Sequence, residues 1–229
     1  MNDAKAPAVN GDIFKNTVRA ENQVNEKFRI TCNYPDGERV LFLGNSITLH
    51  ETAPAIGWNH NWGMAASAEK NDYVHLVVEG LEKAGRKINY CVTNVGRWEQ
   101  NFQDPSVLES FQKARDFAAS CVIIRLGENV PPQFAETYGF EQRFDEFVGF
   151  FTRAAKKTVI TDLFWEHQVL DGCIRRVAKK RSADFVSISD LGYDEKNKAI
   201  GLFAHEGVAM HPGDVGMKKI ADRILSKLV

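Results

Sequence analysis

The chain has 229 residues, 44% of them hydrophobic and 26% charged, with a formal net charge of −1. That balance excludes a disordered, collagen-like or coiled-coil chain. With Lys+Arg at 29 and Asp+Glu at 30 it also excludes a strong basic field for nucleic acid or anionic lipid.

Residues 1–38 are polar, with weak periodicity, and end in the turn Tyr34-Pro35-Asp36-Gly37. They read as an N-terminal extension packed on a single domain over 39–229. Met1 to Ala20 lacks an apolar stretch of signal-peptide length, and no apolar run in the chain is long enough to span a bilayer. Those features predict a cytoplasmic chain with no membrane partner.

Five apolar runs of strand length follow, at Arg39–Gly44, Ile88–Gly96, Ser120–Gly127, Thr158–Trp165 and Asp184–Leu191. The segments between them carry helical spacing. Val74, Val77, Val78 and Leu81 share one face, as do Phe140, Phe144, Phe147, Val148 and Phe151, and then Met217, Ile220, Ile224 and Leu228. Strands alternating with helices predict an α/β fold, a doubly wound five-stranded parallel sheet covered on both faces. In such folds ligands sit at the carboxyl ends of the strands, where the strand order reverses. Cys32, Cys91, Cys121 and Cys173 contain no CxxC pair, so a zinc cage or a dithiol is not expected. Cys91 and Cys121 lie inside apolar runs and read as small core residues. Arg175, Arg176, Lys179, Lys180 and Arg181 read as the solvated face of a helix.

The strand ends carry the chemistry. The first run leads into Gly44-Asn45-Ser46-Ile47-Thr48, the second ends in Asn94-Val95-Gly96 and the third in Gly127-Glu128-Asn129. After the fifth come His205-Glu206-Gly207-Val208-Ala209-Met210-His211-Pro212. A serine hydroxyl needs a base to take its proton, and a histidine can supply it. An amide side chain and backbone N–H groups can hold the oxyanion of a tetrahedral intermediate.

These four blocks, in this order, resemble the SGNH/GDSL hydrolase superfamily over roughly residues 39–229. The resemblance implies a three-layer α/β/α sandwich of flavodoxin-like type and ester hydrolysis through an acyl-enzyme. Ser46 would be the nucleophile and His211 the base. The Ser46 and Gly96 amides and the Asn129 side chain would form the oxyanion hole. Asn45 stands where the family usually has Asp, and Val208 stands three residues before His211, where it usually has its acid. Glu206, five residues before His211, is therefore the candidate orienting acid. The alternative is a Ser–His dyad whose imidazole is held by a backbone carbonyl.

Asn45, Trp98 and Trp165 are candidate pocket residues, His50 lies beside the nucleophile block, and the loop from His50 to Met64 is expected to form a pocket wall. Asp214 reads as the N-cap of the last helix. His205, Glu206 and His211 lack the spacing of a zinc protease, and no cofactor or metal is expected. The preferred substrate is a small-molecule or glycan ester with a short acyl group, acetyl on a carbohydrate first among them. A non-catalytic binder of acylated ligands on this fold and an acyltransferase using the same site are the other readings. The oligomeric state is not legible.

Overall fold

The computed structural model describes residues 28–229. The part of the expected extension over residues 1–27 lies outside them. Among the described residues a six-stranded sheet runs in the order β1-β3-β2-β4-β5-β6. Its strands are β1 (Phe28–Thr31), β2 (Glu38–Gly44), β3 (Ile88–Asn94), β4 (Cys121–Arg125), β5 (Lys157–Thr161) and β6 (Asp184–Val186). The five strands read from the sequence are the parallel ones. The sixth, β1, pairs antiparallel with β3 at the edge of the sheet. It falls in the stretch read as an extension, because its four residues are only half-buried or exposed and leave no apolar run.

Burial on both faces explains the apolar strands. Along β2, Leu41 and Leu43 face one core, while Val40 and Phe42 face the other, as the period-2 alternation of a strand requires. Helices α1 (Tyr73–Lys83) and α8 (Asp214–Leu225) cover the second face with Val74, Val77, Leu81, Met217, Ile220 and Ile224. The first face is covered by α2 (Gly96–Asn101), α3 (Gln112–Asp116), α4 (Pro132–Thr137), α5 (Phe140–Phe151) and α6 (Gln168–Lys180). The result is a three-layer α/β/α sandwich. Helix α7 (Glu206–Ala209) is a single turn before α8. The basic run lies on α6, and much of it is paired with α5: Arg176 reaches Glu141 at 2.6 Å, and Lys180 and Arg181 reach Asp145 at 3.1 and 2.5 Å. The four cysteines are free, with Cys91, Cys121 and Cys173 buried and Cys32 exposed.

Register sets the position of the site. Gly44, the last residue of β2, lies opposite Asn94 of β3 on one side and Arg125 of β4 on the other. The loops after β2, β3 and β4 therefore leave the sheet at one level. The strand order reverses at β2, which opens a crevice there.

Candidate active site

The nucleophile block is a tight turn at the end of β2. The amides of Thr48 and Leu49 both donate to the Asn45 carbonyl, at 2.9 and 3.0 Å, and lift Ser46 out of the strand. The turn requires glycine at 44: a Cβ there would stand 1.9 Å from Thr48 Oγ1 and 2.5 Å from the Arg125 carbonyl oxygen. The Met64 amide donates to the Ser46 carbonyl at 2.8 Å, which ties the long following loop to this turn.

His211 approaches from the loop between α7 and α8. Its amide donates to the Val208 carbonyl at 3.0 Å, and its carbonyl accepts from the Ala199 amide at 2.9 Å. With the backbone held on both sides, Nε2 lies 2.8 Å from Ser46 Oγ and Nδ1 lies 2.7 Å from the Gly207 carbonyl oxygen. A carbonyl only accepts, so Nδ1 carries the proton and the Nε2 lone pair faces the hydroxyl. Burial pushes the His211 pKa down to about 4, against the opposing pull of the Gly207 carbonyl. The ring is therefore neutral at pH 7 and able to accept a proton. Trp165 packs edge-to-face on it, ring centroids 5.2 Å apart.

Ser46, Gly96, Asn129 and His211 line a single cleft of about 550 Å³. His50, Ile56, Met64, Arg97, Gln100 and His205 complete much of its wall. The loop from His50 to Met64 thus borders the cleft, but not through its tryptophans. Trp58 is fully buried against Trp62 and Phe203.

Beneath the cleft lies a polar network that was not read from the sequence. Glu99, at 0% exposure, accepts from Asn45 Nδ2 (3.0 Å), the Gly127 amide (2.6 Å), the Asn129 amide (3.3 Å) and Asn129 Nδ2 (2.7 Å). Arg125, also fully buried, pairs with Glu128 at 2.5 Å and donates to Asn45 Oδ1. Glu128 accepts as well from Asn45 Nδ2 at 2.7 Å and from the Phe164 amide at 3.0 Å. Burial works to raise the Glu128 pKa, but the Arg125 guanidinium outweighs it and holds the carboxyl below the usual range. Burial, with the Glu128 charge added, raises that of Glu99. The one sequence signal was Arg125 itself, a cation ending a buried strand, which demands a partner.

A scan against protein-family models finds no match, nor does a search of curated proteins. Solved structures do match. A lipase/acylhydrolase from Enterococcus faecalis superposes with a TM-score of 0.55 at 13% identity, over 83% of this chain and 95% of that one. The esterase EstA from Pseudoalteromonas sp., in a structure inhibited by monoethylphosphonate, gives 0.52 at 12% identity, over 83% and 96%. The chain has the SGNH/GDSL hydrolase fold. A two-domain esterase active on acetylated mannans matches at 0.54 and 18% identity, over 84% of this chain and 49% of that one.

Within this SGNH/GDSL fold several expectations need correction. Glu206 does not orient His211: it is exposed at the start of α7, and Nδ1 is occupied by the Gly207 carbonyl. Trp98 is no pocket wall. It is 1% exposed and packs on Phe102, Phe140, Phe144 and Phe147, because Gly96, Arg97 and Gln100 take the cleft side of α2 and leave Trp98 facing the core. Asn45 is buried beneath the cleft rather than lining it, with both amide hydrogens and its oxygen engaged. The Gly96 amide, a proposed oxyanion donor, is bonded to Asn94 Oδ1 at 2.8 Å. Asp214 is not a cap; Gly213 is, and the Asp214 carboxylate accepts from the Ser67 amide and hydroxyl at 2.8 and 2.6 Å. Among the described residues no helix is long and apolar enough to cross a membrane, and no cluster of metal-ligating side chains occurs.

Proposed function

We propose that the protein is a serine ester hydrolase of the SGNH/GDSL type, acting through an acyl-enzyme. One observation carries this reading: Ser46 Oγ and His211 Nε2 are 2.8 Å apart at the wall of an open cleft. Ser46 attacks the ester carbonyl as Nε2 takes its proton. His211 then returns that proton to the leaving alcohol, and water repeats the sequence on the acyl-enzyme. The oxyanion is held by the Ser46 amide and an Asn129 Nδ2–H. The base works as a dyad with the Gly207 carbonyl, so no acid completes a triad.

The substrate class we favour is a short acyl ester, acetyl on a carbohydrate first. The wide polar rim of Arg97, Gln100, His50 and His205 suits a hydroxylated leaving group, and the few apolar lining residues, Ile56, Met64 and Val208, leave little for a long acyl chain to bury against. The fold likeness to an esterase active on acetylated mannans points the same way.

The test is hydrolysis of p-nitrophenyl acetate, butyrate and octanoate, then of acetylated sugars, by wild type and Ser46→Ala. Turnover that declines with chain length and is absent in the variant is expected. Equal rates in both proteins would overturn the serine mechanism. Transfer of the acyl group to an added alcohol in preference to water would reassign the protein as an acyltransferase, and ligand binding with no turnover as a binder.

A further inference from the structure

Glu99 is a carboxylate with no exposure, it does not line the cleft, and the proton-transfer steps above make no use of it. Burying a carboxylate is costly unless donors surround it. Here four donor contacts converge on it. We infer that Glu99 is the positioning residue of the oxyanion site, holding the Asn129 side chain so that an amide hydrogen, rather than the amide oxygen, is presented to the cleft. This inference rests on the ester-hydrolase reading for its catalytic meaning, though not for its geometry.

The argument is one of donor and acceptor capacity. Burial and the Glu128 charge oppose ionisation of Glu99, but the donors set around both its oxygens favour the ionised form, which only accepts, whereas a side-chain amide has one end that donates and one that accepts. Asn129 must therefore turn Nδ2 toward Glu99 Oε2, which it does at 2.7 Å. That contact uses one of the two amide hydrogens. The second remains for the cleft that Asn129 lines with Ser46. A flipped amide would set its oxygen against the carboxylate on one side and against a developing oxyanion on the other. Glu99 Oε1 meanwhile accepts from the Gly127 and Asn129 amides and so fixes the loop itself, where Gly127 holds a φ of +134°.

The same oxygen accepts from Asn45 Nδ2. One carboxylate thus joins the turn that carries the nucleophile to the loop that carries the oxyanion donor. An apolar residue of similar volume could fill the space with less desolvation cost, but it could not dictate which way Asn129 points.

The experiment is a double-mutant cycle of Glu99→Gln and Asn129→Ala, read as kcat and KM on p-nitrophenyl acetate, with the side-chain amide resonances of ¹⁵N-labelled protein recorded alongside. Glutamine keeps the size but brings a donor into a ring of donors. Glu99→Gln should lower kcat by about 10²-fold, near the loss expected on removing an oxyanion donor outright, with KM little changed. In the Asn129→Ala background it should have almost no further effect. The Asn129 amide signals, identified by their absence in Asn129→Ala, should move on Glu99→Gln. Should that variant not fold, Glu99→Asp retains an acceptor-only group and serves in the same cycle, with a smaller loss expected. Wild-type kcat, or a loss that multiplies fully with that of Asn129→Ala, would overturn the role. If wild type hydrolyses no ester, the functional reading falls, and unmoved Asn129 signals would then overturn the positioning role by themselves.

Discussion

His211 meets Ser46 through Nε2 and a backbone carbonyl through Nδ1. A carbonyl dipole fixes the tautomer as a carboxylate would, but it stabilises the imidazolium less. Burial adds to that deficit and holds the ring at about 4. The folded value lies below the ordinary histidine value. Neutral base therefore persists as pH falls through 6.5 and is lost only toward 4, whereas the linked stability is full above 6.5 and falls between 6.5 and 4, where the unfolded chain takes the proton and the folded one does not. The acid limb of kcat/KM should fall near pH 4, not near 6.5, in a pH–rate profile. Glu206→Gln, changing an exposed side chain that does not touch the ring, should leave that profile within about twofold of wild type. A large loss would restore Glu206 as the orienting acid. Asn45 makes the companion case. Its amide donates to both Glu99 and Glu128, which an aspartate could not do. Asn45→Asp should destabilise the fold by about 3 kcal/mol in denaturant titration, through a third buried carboxylate beside two others.

The elements were legible where apolar periodicity is strong, and their ends were not. Four of the five predicted strands run past the observed pairing at their carboxyl ends, into Val95, Leu126, Leu163, Phe164 and Ile188, all of them buried. An apolar run records burial, and these residues are buried in the loops after the strands rather than in the ladder. Edge strand β1 escaped for the opposite reason, since Arg29 and Thr31 interrupt its pattern and its Ile30 is exposed. At the end of β2 the element and the site share one requirement. Gly44→Ala would drive a methyl group into Thr48 Oγ1 and the Arg125 carbonyl oxygen. It should cost about 1–3 kcal/mol in thermal or chemical unfolding. It should also lower kcat, because relief of the clash displaces the turn that holds Ser46.

Across the whole molecule, register and layer packing together make the site. Gly44, Asn94 and Arg125 lie side by side, so three loops far apart in sequence open at one level. Helix α2 then serves both cleft and core: Gly96 lines the cleft, Glu99 ties the buried network, and Trp98 fills the aromatic core beneath α5. Trp98→Ala should therefore destabilise the protein by about 3–5 kcal/mol while the folded fraction keeps its ester specificity. A change of specificity without loss of stability would return Trp98 to the pocket. Trp165, packed on His211, is the tryptophan expected to affect turnover.

The sequence by itself determined the α/β layering and the five parallel strands, and offered Ser46, Gly96, Asn129 and His211 as site candidates, because periodicity and strand-end blocks are local patterns. Only the tertiary structure decided what holds His211, which tryptophan reaches the site, and that Asn45, Glu99, Arg125 and Glu128 form one network. The contacts of Asn45 with Glu99 and Arg125, and of Trp165 with His211, join residues many tens of positions apart, while the short-range ones, Gly207 to His211 and Arg125 to Glu128, depend on how the folded loops set the backbone. A buried charge is revealed by the partners that surround it, and these are assembled only when the sheet and its loops are in place.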